Sequence, residues 1–132
     1  MFHELKSHHI PEVIQISNQV FGSNFISPNE LKKYCGSTSK KAFIIVKKKL
    51  ILGFITIEIL SLKKLHQVIL KENEWFINLC KPQNKIALIK QVVVVSSEQK
   101  KGFGSQLVKY AKEQTINDVF MSGMDEESYN PY

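Results

Sequence analysis

The sequence contains no arginine. All 18 of its Lys and Arg positions are lysine, set against 12 acidic residues, for a net charge of +6. Bidentate reading of a base edge or a phosphate favours the planar guanidinium fork over a point-charge ammonium. A nucleic-acid partner is therefore not expected. Compositional bias, in a chain also rich in Ile and Asn, is the simpler account of the charge, although a modest positive field still attracts an anionic ligand. Cysteine is nearly absent. Cys35 and Cys80 stand in neither a CxxC nor a metal-ligand spacing, which argues against a disulfide framework and against a thiolate metal centre. They read as reduced thiols of a cytoplasmic protein that needs no metal. The longest apolar runs, "LILGFI" and "VVVV", fall far short of the roughly 20 residues a membrane helix needs. The N-terminal "MFHELKSHH" lacks the apolar stretch of a secretory signal.

What is present fits one domain over residues 1–132. A chain of 132 residues buries a core without covalent staples. Ile10, Val13, Ile14, Ile16, Val20 and Phe21 recur at helical spacing, with Pro11 in the first turn and Gly22 at the stop. A second, short helix starts at "SPNELKKYC", where Ser27 caps, Pro28 takes the first helical position and Glu30 lies three residues after the cap. "KAFIIVKKKLILGFITIEIL" reads as two antiparallel strands joined at Lys47 to Lys49. Gly53 inside the second strand predicts a bulge or a close backbone approach. Leu62, Leu65, Ile69, Glu72, Phe76 and Leu79, spaced three to four apart, predict an inserted helix within about 61–85, anchored by Trp75 and Phe76. "IALIKQVVVV" has the apolar character of a central strand. A helix follows over Gly104 to Thr115, with Leu107, Val108 and Ala111 inward, then a last strand in "NDVFMSG" and a loose acidic tail at about 124–132. The order implies an α/β or α+β domain around a mixed, mostly antiparallel sheet flanked by helices.

The chemistry concentrates in "VVVVSSEQKKGFGSQLV". A strand passes through a glycine turn into a helix. The free N–H groups and positive dipole end of a helix start suit an anion, and glycines admit it close to the backbone. Gln99, Lys100, Lys101, Gly102, Phe103, Gly104 and Ser105 thus read as a phosphate cradle, or as a tight turn with no ligand. A Walker A loop is excluded by the missing Gly-Lys-Ser/Thr ending. A dinucleotide loop is excluded by the missing third glycine and the late position in the chain.

This stretch resembles the acyl-coenzyme A motif of the GCN5-related N-acetyltransferases, whose signature is Gln/Arg-x-x-Gly-x-Gly/Ala. Gln99, Gly102 and Gly104 match it, Val92 to Val94 stand at the right distance before it, and Gly53-Phe54 resembles a pair common on the family's third strand. The resemblance spans roughly Ile10 to Gly123. It implies the acyl-CoA N-acyltransferase fold, acetyl-CoA as co-substrate, and transfer of an acetyl group to an amine of a small molecule or a protein. It further implies that the backbone of Val92, Val93 and Val94 pairs with the pantetheine arm and that the turn from Gln99 to Ser105 holds the pyrophosphate.

Two departures bear on catalysis. Many members carry a glutamate late on the central strand, where this chain has Lys90 and Gln91. Glu58 on the neighbouring strand and His66 on the inserted helix are the candidate substitutes, each of which also reads as an ordinary solvent-facing side chain. A Cys80–His66 nucleophile pair has nothing to bring it together. The family fold also continues with a helix and two strands where this chain has only "MDEESYNPY", which leads us to expect an uncovered last strand and hence a homodimer. Three functions follow: an N-acetyltransferase, a catalytically inactive coenzyme A-binding or interaction module of the same fold, and a lysine-rich nucleic-acid binder, which no interleaving of aromatic and basic residues supports.

Overall fold

The computed structural model describes residues 1–23, 25–61, 63, 64, 67, 85–115, 119–123 and 129–131. A six-stranded sheet runs in chain order: β1 (Phe2–Glu4), β2 (Lys40–Lys47), β3 (Leu50–Ser61), β4 (Lys85–Val94), β5 (Val119–Gly123) and β6 (Tyr129–Pro131). Neighbours are antiparallel, except that β4 and β5 are parallel. Helices α1 (Ile10–Phe21) and α2 (Pro28–Lys32) pack with one face of the sheet, and α3 (Phe103–Thr115) with the other. No helix among the described residues is long and apolar enough to cross a membrane.

Local chemistry sets the elements. The hydroxyl of Ser27 accepts the Glu30 N–H at 3.1 Å, capping α2 behind Pro28. Gly22, at φ 91°, ends α1. Helix α1 buries Ile10, Val13 and Ile16 as its spacing predicts, whereas Phe21 turns outward and stacks on Phe25 with ring centres 4.3 Å apart. The β2–β3 turn is Lys48-Lys49, at φ 52° and 66°. Two positive values are what a right-twisted hairpin asks of a two-residue turn, at about 1–2 kcal/mol for each residue that is not glycine.

Both expectations at Gly53 hold. Leu52 is an extra residue on β3, because Ile45 pairs with Gly53 and Val46 with Ile51. A Cβ on Gly53 would lie 2.5 Å from the Val93 carbonyl oxygen. That close approach draws β3 onto the end of β4.

The core has two halves. Leu31, Ile44, Phe54 and Val93 meet α1 and α2. Ile55, Ile57 and Ile89 meet Leu107, Val108 and Ala111 of α3, the inward face its spacing predicts. Tyr110 extends this second half, stacked on Phe2 at 4.7 Å and edge-on to Phe43.

The ends of the chain depart from expectation. Phe2–Glu4 forms a strand on β2. In the tail expected to be loose, Tyr129–Pro131 pairs with Met121–Gly123. An unpaired strand edge exposes a row of backbone donors and acceptors, and these short strands satisfy two such rows. The last strand, on which the expected homodimer rested, is thus β6, and β6 itself forms that edge of the sheet. The inserted helix lies almost wholly outside the described residues. At its start Ser61 closes β3, and its hydroxyl accepts the Lys64 N–H at 3.2 Å.

Candidate functional site

The end of β4 is held tightly, and the turn beyond it is left open. The Val95 N–H donates to the Leu52 carbonyl at 2.8 Å. A 3-10 turn, Ser96–Glu98, follows. The Gln99 side-chain amide then reaches back to donate to the Val94 carbonyl at 3.0 Å. Gln99 thus pins the turn to the strand through its side chain. Lys100 (φ 66°) and Gly102 (φ 84°) turn the chain into α3, whose first backbone bond runs from the Gln106 N–H to the Gly102 carbonyl at 3.1 Å. The N–H groups from Lys100 to Ser105 have no acceptor among the described residues. Above them, a Cβ on Gly102 would meet nothing within 4 Å, and one on Gly104 only Val92 Cγ1 at 3.7 Å. Free donors at a helix start beneath side-chain-free positions can bind an anion.

The side chains of this turn divide. Lys101 pairs with Glu98 at 2.9 Å, an exposed contact of small energetic weight. Lys100 and Ser105 are exposed, and Phe103 packs partly against the α3 half of the core. Val93 is buried under α1 and α2, while Val92 and Val94 face α3 and are half-buried. Because Val95 bonds Leu52 across the ladder, the backbone groups of Val92 and Val94 point the other way, towards β5. There β5 pairs only with Ile86 to Ile89. Among the described residues β5 ends at Gly123, and its pairing with β4 ends at Ser122. The Val92 N–H and carbonyl and the Val94 N–H have no partner among the described residues, and Gln99 takes the Val94 carbonyl.

A bulge lies just before Val92 on β4. Thr56 pairs with Gln91 and Ile57 with Ile89, so Lys90 is the extra residue of β4. A bulge bends its strand and can end pairing on the far side. The sequence carries no signal for it, since a bulge residue near the right-handed helical region need not be glycine.

On the α1–α2 face, the register brings together residues that sequence reasoning left apart. Lys40 pairs with Glu58, and Thr56 with Gln91. Thr56 is fully buried, and its hydroxyl donates to Gln91 Oε1 at a long 3.5 Å. Tyr34, just after α2, is 7% exposed, with the Lys40 ammonium 5.5 Å from its ring centre. Burial pushes the Tyr34 phenol up to about 12; the charge of Glu58 adds to the rise and the Thr56 hydroxyl opposes it. The phenol is therefore neutral at ordinary pH. Glu58 is half-buried rather than solvent-facing, and its carboxylate makes no hydrogen bond or ion pair among the described residues. His66 and Cys80 lie outside the described residues.

No family model matches the chain, and no curated protein sequence matches it. Solved structures do. An aminoglycoside acetyltransferase from an uncultured soil metagenome, in complex with sisomicin, matches at TM-score 0.66 and 16% identity, over 95% of this chain and 77% of that one. NAA60 of Arabidopsis thaliana, in complex with a bisubstrate analogue, matches at TM-score 0.71 and 12% identity, over 92% and 72%. A GCN5-related glucosamine N-acetyltransferase region of a fungal multi-domain GH3 β-N-acetylglucosaminidase matches at 0.66 and 15%, over 95% of this chain and 13% of that one. The chain thus has the acyl-CoA N-acyltransferase fold of the GCN5-related N-acetyltransferases.

Proposed function

We propose that this protein transfers an acetyl group from acetyl-CoA to an amine, in the reducing, cytoplasmic setting that a free Cys35 suits. The observation that carries the reading is the run of N–H groups from Lys100 to Ser105 that are unpaired among the described residues, placed at the end of a strand whose Val92 and Val94 groups face away from β3 and are likewise unpaired among those residues. The turn takes the pyrophosphate, and the open groups of Val92 take the amides of the pantetheine arm. The thioester then lies along β4 near the Lys90 bulge, on the side away from β3. The amine nitrogen attacks the thioester carbonyl carbon, a C–N bond forms, and the C–S bond breaks. The Val94 N–H, unpaired among the described residues, suits the oxygen on which charge develops. Holding the reactants in place supplies much of the rate.

The acceptor, a small molecule or a protein amine, arrives as an ammonium and must lose a proton before attack. Glu58 is the carboxylate we assign to take it. The nitrogen's second proton leaves after attack and ends on the sulfur. A coenzyme A-binding module without turnover is the second reading, supported by Lys90 and Gln91, which stand where many members of the family this chain resembles carry a glutamate.

Thiol release across a panel of amines, run beside acetyl-CoA calorimetry, tests both. We expect binding and turnover, and Glu58→Gln should lower kcat on the order of 10²-fold while leaving coenzyme affinity unchanged. Binding without thiol release from any amine supports the inactive module. No binding at millimolar ligand removes both readings.

A further inference from the structure

On the face of the sheet that meets α1 and α2, one row crosses three strands. Lys40 of β2 stands opposite Glu58 of β3, and Glu58 stands opposite Leu88 of β4. Residues two apart on a strand share a face. Ala42 and Phe54 pack in the α1–α2 half of the core, so Lys40, two before Ala42, and Glu58, four after Phe54, lie on that face. Cross-strand neighbours of opposite charge ordinarily attract and pair. Among the described residues, neither of these makes an ion pair. The Lys40 ammonium lies 5.5 Å from the centre of the Tyr34 ring instead, within cation–π reach. Both side chains are half-buried. A charge drawn partly out of water is costly until it meets a partner, and two such charges of opposite sign stand side by side.

The neighbours leave both charges available. The neutral Tyr34 phenol carries no charge to balance Lys40, and it lies close enough to Glu58 to feel the carboxylate. Glu30 of α2, whose charge also reaches Tyr34, is exposed. The Thr56 hydroxyl is turned to Gln91. The order across the sheet then matters. In the reading above, β4 carries the thioester, β3 carries Glu58 beside it, and β2 carries Lys40 beyond. Neighbouring strands lie about 4.8 Å apart. An amino acid holds its nitrogen and its carboxylate one carbon apart, a reach of the same order.

We propose that the acceptor is a free amino acid, its ammonium against Glu58 and its carboxylate against Lys40, which makes Lys40 a specificity-determining residue. The proposal rests on the acetyl-transfer reading and deepens it by naming the acceptor class. Glu58 takes one proton from the ammonium, and the nitrogen attacks the thioester carbon. The C–N bond forms, the C–S bond breaks, and the second proton ends on the sulfur. The carboxylate stays on Lys40 throughout. A contact made equally before and during the reaction is read in KM rather than in kcat. Other amines fit less well. A lysine side chain or the N-terminus of a protein brings no carboxylate to Lys40, and a diamine brings it a second cation.

Thiol release from acetyl-CoA tests this with the free amino acids, each beside its carboxamide, which keeps the amine and removes the negative charge. The wild type should favour at least one free amino acid over its carboxamide by about tenfold or more in kcat/KM, the scale of a charge-assisted contact. Lys40→Gln should lose that ratio by raising the KM of the free amino acid, and should turn over the carboxamide as the wild type does. Lys41 lies on the opposite face of β2, two residues before Phe43 of the α3 half of the core. Lys41→Gln removes the same charge from there and should keep the ratio. Turnover of amines with no preference for the carboxylate overturns the proposal and leaves the acetyl-transfer reading standing. So does a ratio that survives Lys40→Gln, or one that Lys41→Gln lowers equally. Thiol release from no amine at all overturns the acetyl-transfer reading, and this proposal with it.

Discussion

A side chain at Gly104 would meet only Val92 Cγ1, at 3.7 Å, an ordinary van der Waals contact, and φ there is not positive. In the first turn of α3 a glycine costs roughly 0.5–1 kcal/mol against alanine. The fold alone would favour another residue, and the free donors around Gly104 supply the reason for its absence. Gly104→Glu separates the two demands. A carboxylate in the first turn complements the helix dipole, so the denaturation midpoint should hold or rise, by about 1 kcal/mol at most. The same carboxylate would occupy the anion site, and acetyl-CoA affinity should fall more than about tenfold by calorimetry. Equal losses of stability and affinity would contradict this account of Gly104. At this scale the glycine turn was legible because Gln99, Gly102 and Gly104 are neighbours in the chain. The group of Tyr34, Thr56, Glu58 and Gln91 was not, because strand register across β3 and β4 assembles it and no local spacing records register.

The β2–β3 turn shows how an element can give up stability. Two lysines hold positive φ where Asn-Gly would hold it without strain. Lys48→Asn/Lys49→Gly should therefore raise the unfolding free energy by about 1–2 kcal/mol in urea titrations, with no rise expected if the turn is unstrained. The hairpin itself was legible from two apolar runs flanking a polar turn, and α1, α2 and α3 from their periodicity and caps. Strands β1 and β6 were not. Each is three residues long, too short for alternation to register against background. Each forms only because a longer strand beside it offers unpaired backbone. The Lys90 bulge escaped notice for a related reason: it is a mismatch between two strands, visible only once both are paired.

The whole molecule brings these features to one end of one sheet. The Lys90 bulge stands just before the end of β4, Gln99 closes that end, and two turns carrying lysines at positive φ lie near it. Fold class followed from element order and the Gln-x-x-Gly-x-Gly spacing. The mixed sheet follows that reading, with its single parallel junction between β4 and β5. The proposed base was less legible, because Glu58 sits on β3, one strand away from where the resemblance would place a glutamate. The central claim is that the backbone of the turn is itself the coenzyme's ligand. Amide NMR of the uniformly 15N-labelled protein tests it most directly. On titration with acetyl-CoA, the N–H resonances of Lys100 to Ser105 and of Val92 and Val94 should shift together along one saturation curve, while those of Leu31 and Ile44 in the core stay fixed. Saturable binding that leaves the Gly102 and Gly104 amides unmoved would contradict the claim.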